Sequence, residues 1–157
     1  MKNIIKLIIS IIICQLAGII GSIFTTPSIS TGYASLNKPV FNPPNWVFSP
    51  VWITLFVLMG ISLYLVWSKA IKKELKKRAL ILFGIQLLLN IFWSVIFFGL
   101  NSILFAFIEI IFLWIAILLT IIYFYKISKI ASYLLIPYIL WVSFAAVLNF
   151  SIFLINV

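Results

Sequence analysis

The sequence predicts an all-α protein: an integral membrane bundle of five transmembrane helices, formed by one domain over residues 1–157. Three observations support this prediction. Of the 157 residues, 66% are hydrophobic, only 8% are charged, and the apolar residues fall into five long runs. A soluble domain is usually about 45–50% apolar and about 25% charged, so this chain cannot cover a water-facing surface. Its surroundings are therefore predicted to be lipid.

Each apolar run is long enough to cross the hydrocarbon layer, for which a helix needs about 20 residues. None of the runs alternates strictly between apolar and polar residues, as transmembrane strands would. The first run is interpreted as a retained helix rather than a signal peptide, because no small-residue cleavage site precedes Thr25. The predicted spans cover residues 7–24, 46–68, 79–98, 103–125 and 134–155.

The cationic residues predict the orientation of the bundle. Five crossings put the chain ends on opposite sides, and ten of the eleven Lys and Arg residues then share the side of the N-terminus. Because cytoplasmic loops are enriched in Lys and Arg, the N-terminus is predicted to be cytoplasmic. The short N-terminus, without transit-peptide character, favours a bacterial plasma membrane. The exception is Lys38, in the external loop 25–45.

The residue inventory excludes most catalytic chemistry. The chain has no histidine, one cysteine (Cys14) and two acids, Glu74 and Glu109. These residues cannot build a metal centre, a Ser-His-Asp triad or a hydrolytic carboxylate pair. The cationic run 69–78 lies between spans and carries no nucleic-acid readout motif, so no nucleic-acid partner is expected. No cofactor is expected to be required, and a flat conjugated ligand would be held by stacking on aromatic rings.

The external loop is rich in proline and aromatic residues. Proline fixes φ and biases the preceding residue towards extended geometry, so this loop should be stiff. We interpret it as a lid over the bundle, with an aromatic belt at the membrane interface as the alternative. The residues behind this interpretation are Pro39, Phe41, Pro43, Pro44, Trp46, Phe48, Pro50 and Trp52.

Two polar features lie inside the predicted spans. Gln86, Asn90 and Ser94 are four residues apart and share one helix face, which indicates either interhelical hydrogen bonds or the polar lining of a ligand pocket. Glu109 lies in the fourth span, where a carboxyl group is costly and needs a partner. A hydrogen bond from Glu109 to a neighbouring helix is preferred to a role in proton-coupled transport.

Small residues mark two helix faces. In the first span, Cys14, Gly18 and Ser22 are four residues apart, a spacing that lets another helix approach closely. Packing within the bundle is the preferred interpretation, and a dimer face is the alternative. In the fifth span, Ala145 leaves room beside Trp141.

Several long motifs make the chain resemble the TspO/translocator protein family. They are the loop 38–52, Met59-Gly60, residues 64–67, Gln86-Leu87 with Leu89-Asn90 and Trp93, residues 97–99, and residues 137–149 without Ile139, Val142, Ala146 and Val147. The resemblance covers nearly the whole chain. It implies a five-helix bundle, often dimeric, in which the first loop caps a pocket for protoporphyrin IX, haem and other flat apolar molecules.

The resemblance also implies roles for individual residues. Trp52 and Trp141 fall on the pocket tryptophans, which would be catalytic if the protein breaks down porphyrin in light. The predicted ligand contacts are Pro43, Trp46, Trp52, Gln86, Asn90, Trp93, Trp141 and Ala145. The predicted function is the binding of tetrapyrroles by a receptor-like protein in the lipid bilayer. The resemblance also implies that this protein forms a homodimer. The alternative is a transporter of a small molecule, porphyrin or sterol.

Overall fold

The computed structural model describes residues 2–157. Met1, with which the predicted domain begins, and the side chain of Lys2, one of the predicted topology cations, lie outside the described part. The described chain forms helices and no strands. They are α1 (Lys2–Ile29), α2 (Gly32–Ser35), α3 (Asn45–Ser68), α4 (Lys73–Ser94), α5 (Ile103–Tyr125), α6 (Lys129–Tyr133) and α7 (Ile136–Ile155), and α4 continues into a π-helical turn over Val95–Gly99.

Five helical segments are long and apolar enough to cross a membrane, so the predicted five-helix membrane bundle is confirmed. The segments are Asn3–Ile29, Asn45–Ser68, Lys73–Gly99, Ile103–Tyr125 and Lys129–Ile155. The protein is therefore an integral, multi-pass membrane protein.

The predicted end of the first helix is wrong, because α1 continues through Pro27 to Ile29. Proline removes one backbone donor, but its fixed φ is compatible with a helix. The hydroxyls of Ser30 and Thr31 donate to the Pro27 carbonyl at 3.2 and 2.9 Å, which satisfies that group where the helix ends. The first loop is therefore shorter than predicted, spanning residues 30–44, and it contains the single turn α2.

Close packing joins α1 to α3. A Cβ atom at Gly60 would lie 2.6 Å from the Cα of Ile11, and one at Gly18 would lie 2.6 Å from the Phe56 ring. Cys14, on the same face of α1, is fully buried. Cys14 and Gly18 thus pack within the bundle, as predicted from the sequence, whereas Ser22 of the same face is exposed.

The two ends of the bundle differ in charge. Lys76 Nζ donates to the Trp67 carbonyl at 2.8 Å, and Lys6 Nζ lies 5.8 Å from the Trp67 ring, so α1 and α4 bring cations to the end of the bundle at which α3 ends. The Ser62 hydroxyl donates to the Ala131 carbonyl at 2.6 Å and links α6 to this same end. We call it the cationic end. The first loop lies at the opposite end, which we call the loop end.

Candidate ligand-binding site

The first loop is held together around Tyr33. This side chain is 3% exposed, and its hydroxyl donates to Asn42 Oδ1 at 2.7 Å. Burial raises the pKa of Tyr33, although the Asn42 hydrogen bond opposes the shift, so the phenol stays protonated and remains a donor. Lys38 Nζ lies 4.7 Å from the Tyr33 ring and donates to the Leu36 carbonyl at 2.9 Å. The loop is therefore a folded unit rather than an open connection.

A pair of hydrogen bonds ties the loop to the end of α7. The Asn37 backbone N–H donates to Asn156 Oδ1 at 3.0 Å, and Asn156 Nδ2 donates to the Asn37 carbonyl at 2.8 Å. We call this pair the amide clasp. The Phe41 ring also lies 6.3 Å from the Phe144 ring of α7. The first loop therefore folds over this end of the bundle, as expected of a lid.

Beneath Tyr33 lies a narrow cavity of about 40 Å³, which we call the aromatic cavity. It is enclosed by the loop and by α1, α3, α4, α7 and the π-helical turn. Its lining residues are Thr25, Tyr33, Phe48, Trp52, Trp93, Phe97, Phe98, Trp141, Phe144, Ala145, Leu148, Asn149 and Ile152. Three indoles and five other aromatic rings thus make up most of the wall.

The rings of the aromatic cavity pack against one another. The Phe48 and Trp141 centroids are 6.3 Å apart in an edge-to-face arrangement, and those of Tyr33 and Phe48 are 6.4 Å apart. The remaining volume fits a few water molecules at about 10–15 Å³ each, whereas pockets for larger ligands are usually about 300–1,000 Å³. A large flat ligand would therefore have to part these rings.

Hydrogen bonds fix one side of the cavity. Trp93 Nε1 donates to Asn149 Oδ1 at 3.2 Å, and Asn149 Nδ2 donates to the Ile103 carbonyl at 2.9 Å. This chain joins α4, α7 and α5. It holds the Trp93 indole in one orientation, because buried polar groups are costly when unpaired.

A second, wider cavity of about 250 Å³ lies between α1, α3 and α4. We call it the lateral cleft. It shares Thr25, Phe48 and Trp52 with the aromatic cavity, so these three side chains separate the two spaces. Its other lining residues are Gln15, Ala17, Gly18, Ile19, Gly21, Ser22, Thr26, Ile29, Ser49, Ile53, Phe56, Asn90 and Ser94.

The structure brings together five of the eight predicted contact residues. Trp52, Trp93, Trp141 and Ala145 line the aromatic cavity, while Asn90 and again Trp52 line the lateral cleft. Their role as ligand contacts stays a prediction.

The other three predicted residues line neither space. Gln86 is buried in the bundle, Pro43 lies in the loop, and Trp46 is 75% exposed. Trp46 precedes Trp52 by six residues, which rotates it by about 240° around α3, so the two indoles face different sides. The position of Trp46 fits the alternative interpretation of an interfacial aromatic residue.

The polar stripe and Glu109 only partly follow the prediction. Asn90 Nδ2 donates to the Tyr138 hydroxyl at 3.0 Å, an interhelical bond of the expected kind. Within residues 2–157, however, neither amide atom of Gln86 nor either oxygen of Glu109 has a hydrogen-bond partner. The preferred interpretation of Glu109 as a helix-linking group is therefore wrong. The sequence reveals the polar face of α4, but it does not show which side chains of the other helices lie opposite that face.

Sequence reasoning missed several cavity residues, notably Tyr33, Phe97 and Phe98. Consecutive residues of an α-helix point about 100° apart, yet the Phe97 and Phe98 rings both lie near Trp93, at 5.2 and 5.7 Å. The π-helical turn carries both residues, and hydrophobic periodicity does not reveal such a turn. Tyr33 is in a loop without periodicity, where its aromatic type was the only available signal.

The fold and the cavities define a multi-pass α-helical membrane protein with an aromatic cavity closed by a loop. The chain belongs to the TspO/MBR family, whose sequence profile matches residues 10–155. It is similar to "Tryptophan-rich protein TspO" of Archaeoglobus fulgidus, with 47% identity over 154 residues, 98% of this chain and 99% of the relative. The protein of the same name from Chlorobaculum tepidum is 46% identical over 155 residues, 99% of this chain and 98% of the relative. "Translocator protein" of Homo sapiens is 36% identical over 139 residues, 85% of this chain and 79% of the relative.

Proposed function

We propose that this protein is a receptor-like membrane protein that binds tetrapyrroles such as protoporphyrin IX and haem. The observation that carries the proposal is the gathering of Trp52, Trp93 and Trp141 around one cavity beneath Tyr33. Indole faces stack on flat conjugated rings, and few other ligand classes would use so many of them. Membership of the TspO/MBR family supports the same class of membrane protein.

Ligand entry requires the aromatic walls to separate. The contact between Phe48 and Trp141 closes the cavity. The small side chain of Ala145 leaves space on the α7 side, next to Trp141. Lys38 is expected to meet a propionate group at the mouth, because among the described residues its ammonium group contacts two neutral carbonyls and the Tyr33 ring. Binding is thus proposed to be an induced fit at the loop end, with no metal ligand from the protein.

The first prediction concerns the two pocket tryptophans. We expect the Trp52→Phe/Trp141→Phe double variant to bind protoporphyrin IX about tenfold or more weakly, because aromatic stacking on indole is lost at two faces. Binding is measured by the Soret shift of protoporphyrin IX titrated with protein in detergent, a signal that does not depend on the number of indoles.

The matched control is Trp46→Phe/Trp67→Phe. It also removes two indoles, one exposed at the start of α3 and one at the cationic end. Equal affinity in the two double variants would contradict the assignment of the site to the aromatic cavity.

Light-dependent breakdown of the bound porphyrin is the finer form of this proposal. Trp52 and Trp141 line the same cavity, so both would stand beside an excited porphyrin and exchange an electron with it, while dissolved oxygen is the oxidant that the breakdown of the ring consumes. We expect illumination in air to bleach the Soret band of the complex faster than that of free protoporphyrin IX in detergent. In the Trp52→Phe/Trp141→Phe variant, at saturating protein, the rate should fall to the free value. If the Soret band bleached equally fast with and without protein, the protein would bind the porphyrin without breaking it down.

The membrane arrangement is proposed on the charge distribution. The cationic end is proposed to face the cytoplasm at a bacterial plasma membrane. The loop end and both cavities would then lie in the outer half of the bilayer. A homodimer is proposed from the family resemblance. Small-molecule transport, of a porphyrin or a sterol, is the second candidate function, and the name of the human relative, "Translocator protein", favours it.

A further inference from the structure

We propose that a corner of the cationic end, where α5 passes into α6, binds the head group of an anionic phospholipid. We call it the tyrosine–lysine corner. It lies at the opposite end of the bundle from the first loop, and the proposal does not rest on tetrapyrrole binding. Its residues are Tyr123, Tyr125, Lys126, Lys129 and Tyr133.

The two lysines of the corner lie on aromatic rings. Lys126 Nζ is 5.0 Å from the centre of the Tyr123 ring, and Lys129 Nζ is 5.7 Å from the centre of the Tyr125 ring. The Tyr125 and Tyr133 rings are 6.3 Å apart, so α5 and α6 gather these side chains into one small surface. A cation on an exposed ring is held weakly, so both ammonium groups are available to a phosphate.

Neither acid of the chain neutralises the corner. Glu109 lies 17 residues before Lys126 on α5, which is about 25 Å along the helix. Glu74 is on α4, which packs on α5 through Phe83, stacked on Phe124 at 5.6 Å. Glu74 precedes Phe83 by nine residues, a rotation of about 180°, so it faces away from α5. The two lysines therefore lack a counter-charge from the described residues.

Tyrosine hydroxyls add hydrogen-bond donors to the corner. Tyr125 and Tyr133 are 46% and 59% exposed, and neither hydroxyl has a hydrogen-bond partner within residues 2–157. Ammonium groups only donate, and phenol hydroxyls donate well to charged oxygens. A phosphate, with its negative charge and several acceptor oxygens, is the complement of this set.

An apolar stripe continues the corner towards the middle of the membrane. Ile115, Leu119 and Ile122 are exposed and share one face of α5 with Lys126, at spacings of three and four residues. The stripe is about 16 Å long, close to the roughly 15 Å depth of one hydrocarbon leaflet. An acyl chain can lie along this stripe while its phosphate lies at the corner, which favours a phospholipid over free phosphate.

Net charge decides between classes of phospholipid. The choline of phosphatidylcholine places a cation beside the phosphate, and this cation would be repelled by Lys126 and Lys129. The glycerol of phosphatidylglycerol is uncharged and leaves the phosphate charge uncompensated. Basic sites next to transmembrane helices select anionic lipids for this reason. The corner should therefore prefer phosphatidylglycerol.

Native mass spectrometry of the purified protein in detergent tests this preference. The protein is titrated with phosphatidylglycerol or with phosphatidylcholine of the same acyl chains, and the dissociation constant of the first bound lipid is measured. We expect phosphatidylglycerol to bind about tenfold more tightly. A tenfold excess of glycerol 3-phosphate, which has no acyl chain, should not displace it. Equal dissociation constants for the two lipids, or displacement by glycerol 3-phosphate, would overturn the proposal.

Removing the two charges should abolish the preference. We expect Lys126→Gln/Lys129→Gln to weaken phosphatidylglycerol binding about tenfold and to leave phosphatidylcholine binding unchanged. The matched control, Lys73→Gln/Lys77→Gln, removes the same charge from exposed positions on α4 at the same end of the bundle. It should keep the preference. An equal loss in both pairs would indicate general charge attraction and would contradict a site at the corner.

A second variant tests the hydroxyl donors while keeping every charge. Tyr125→Phe/Tyr133→Phe retains both rings, including the one beneath Lys129, and we expect it to weaken phosphatidylglycerol binding about threefold or more. Unchanged affinity would contradict the proposed contacts with the phosphate. None of these substitutions lies in the aromatic cavity, so protoporphyrin IX binding should be unaffected, and its titration tests the proposed function separately.

Discussion

Replacing Gly60 by alanine is expected to destabilise the folded bundle by about 1–3 kcal/mol, the usual cost of overpacking a tight contact. The added methyl group would lie 2.6 Å from the Cα of Ile11. That obstacle is backbone, so no side-chain rotation can relieve the clash and α1 must move away from α3. Thermal unfolding in detergent, followed by circular dichroism, measures the loss at about 2–4 °C per kcal/mol.

Gly84→Ala is the control for Gly60→Ala. Gly84 is also inside a spanning helix, but a Cβ there meets nothing within 4 Å. This change should be neutral or stabilising by up to about 1 kcal/mol, because alanine is the better helix former. Equal unfolding temperatures for the two variants would contradict the close approach of α1 and α3.

Replacing Asn149 by leucine is expected to cost about 2–4 kcal/mol. The leucine is similar in size, but it leaves the Trp93 N–H and the Ile103 carbonyl without the partner that Asn149 provides. Each buried group left unpaired costs about 1–3 kcal/mol. The same thermal unfolding assay measures the effect, and the emission of Trp93 should shift to the blue when its indole loses the hydrogen bond.

Ser151→Leu is the matched control, two residues further along α7. The Ser151 hydroxyl donates only to the Val147 carbonyl of its own helix, at 2.9 Å. Removing it leaves no interhelical partner unsatisfied, so little change is expected. If Asn149→Leu were no less stable than Ser151→Leu, the hydrogen-bonded chain through α4, α5 and α7 would not be what fixes Trp93.

Composition was enough to predict the fold. Five apolar runs and the cations at alternate loops predict the number of spans, because backbone groups in lipid must be paired within helices or closed barrels and these runs lack the alternation of barrel strands. Close packing of the small-residue face of α1 was also predicted, because small residues four apart let another helix approach, but the sequence did not identify α3 as the partner. Helix ends were less certain, and Pro27 shows why: a proline near a helix end can be tolerated there.

The candidate site was only partly predictable. Trp52, Trp93, Trp141 and Ala145 were found by motif and do line one cavity, but Trp46 in the same motif points elsewhere. The direction of a side chain depends on where its helix begins, which sequence alone places poorly. The lateral cleft was not foreseen, because it depends on how α1, α3 and α4 pack around it, which the sequence does not specify.

The amide clasp links residues 119 positions apart in the chain, so it fastens the first loop to the end of α7. Both hydrogen bonds are exposed to water, and each contributes about 0.5–1.5 kcal/mol at most. Such a fastening opens and recloses rapidly, within the nanosecond-to-microsecond range of loop motions. Access from the aqueous side is therefore expected to depend less on the loop than on separation of the packed rings below it.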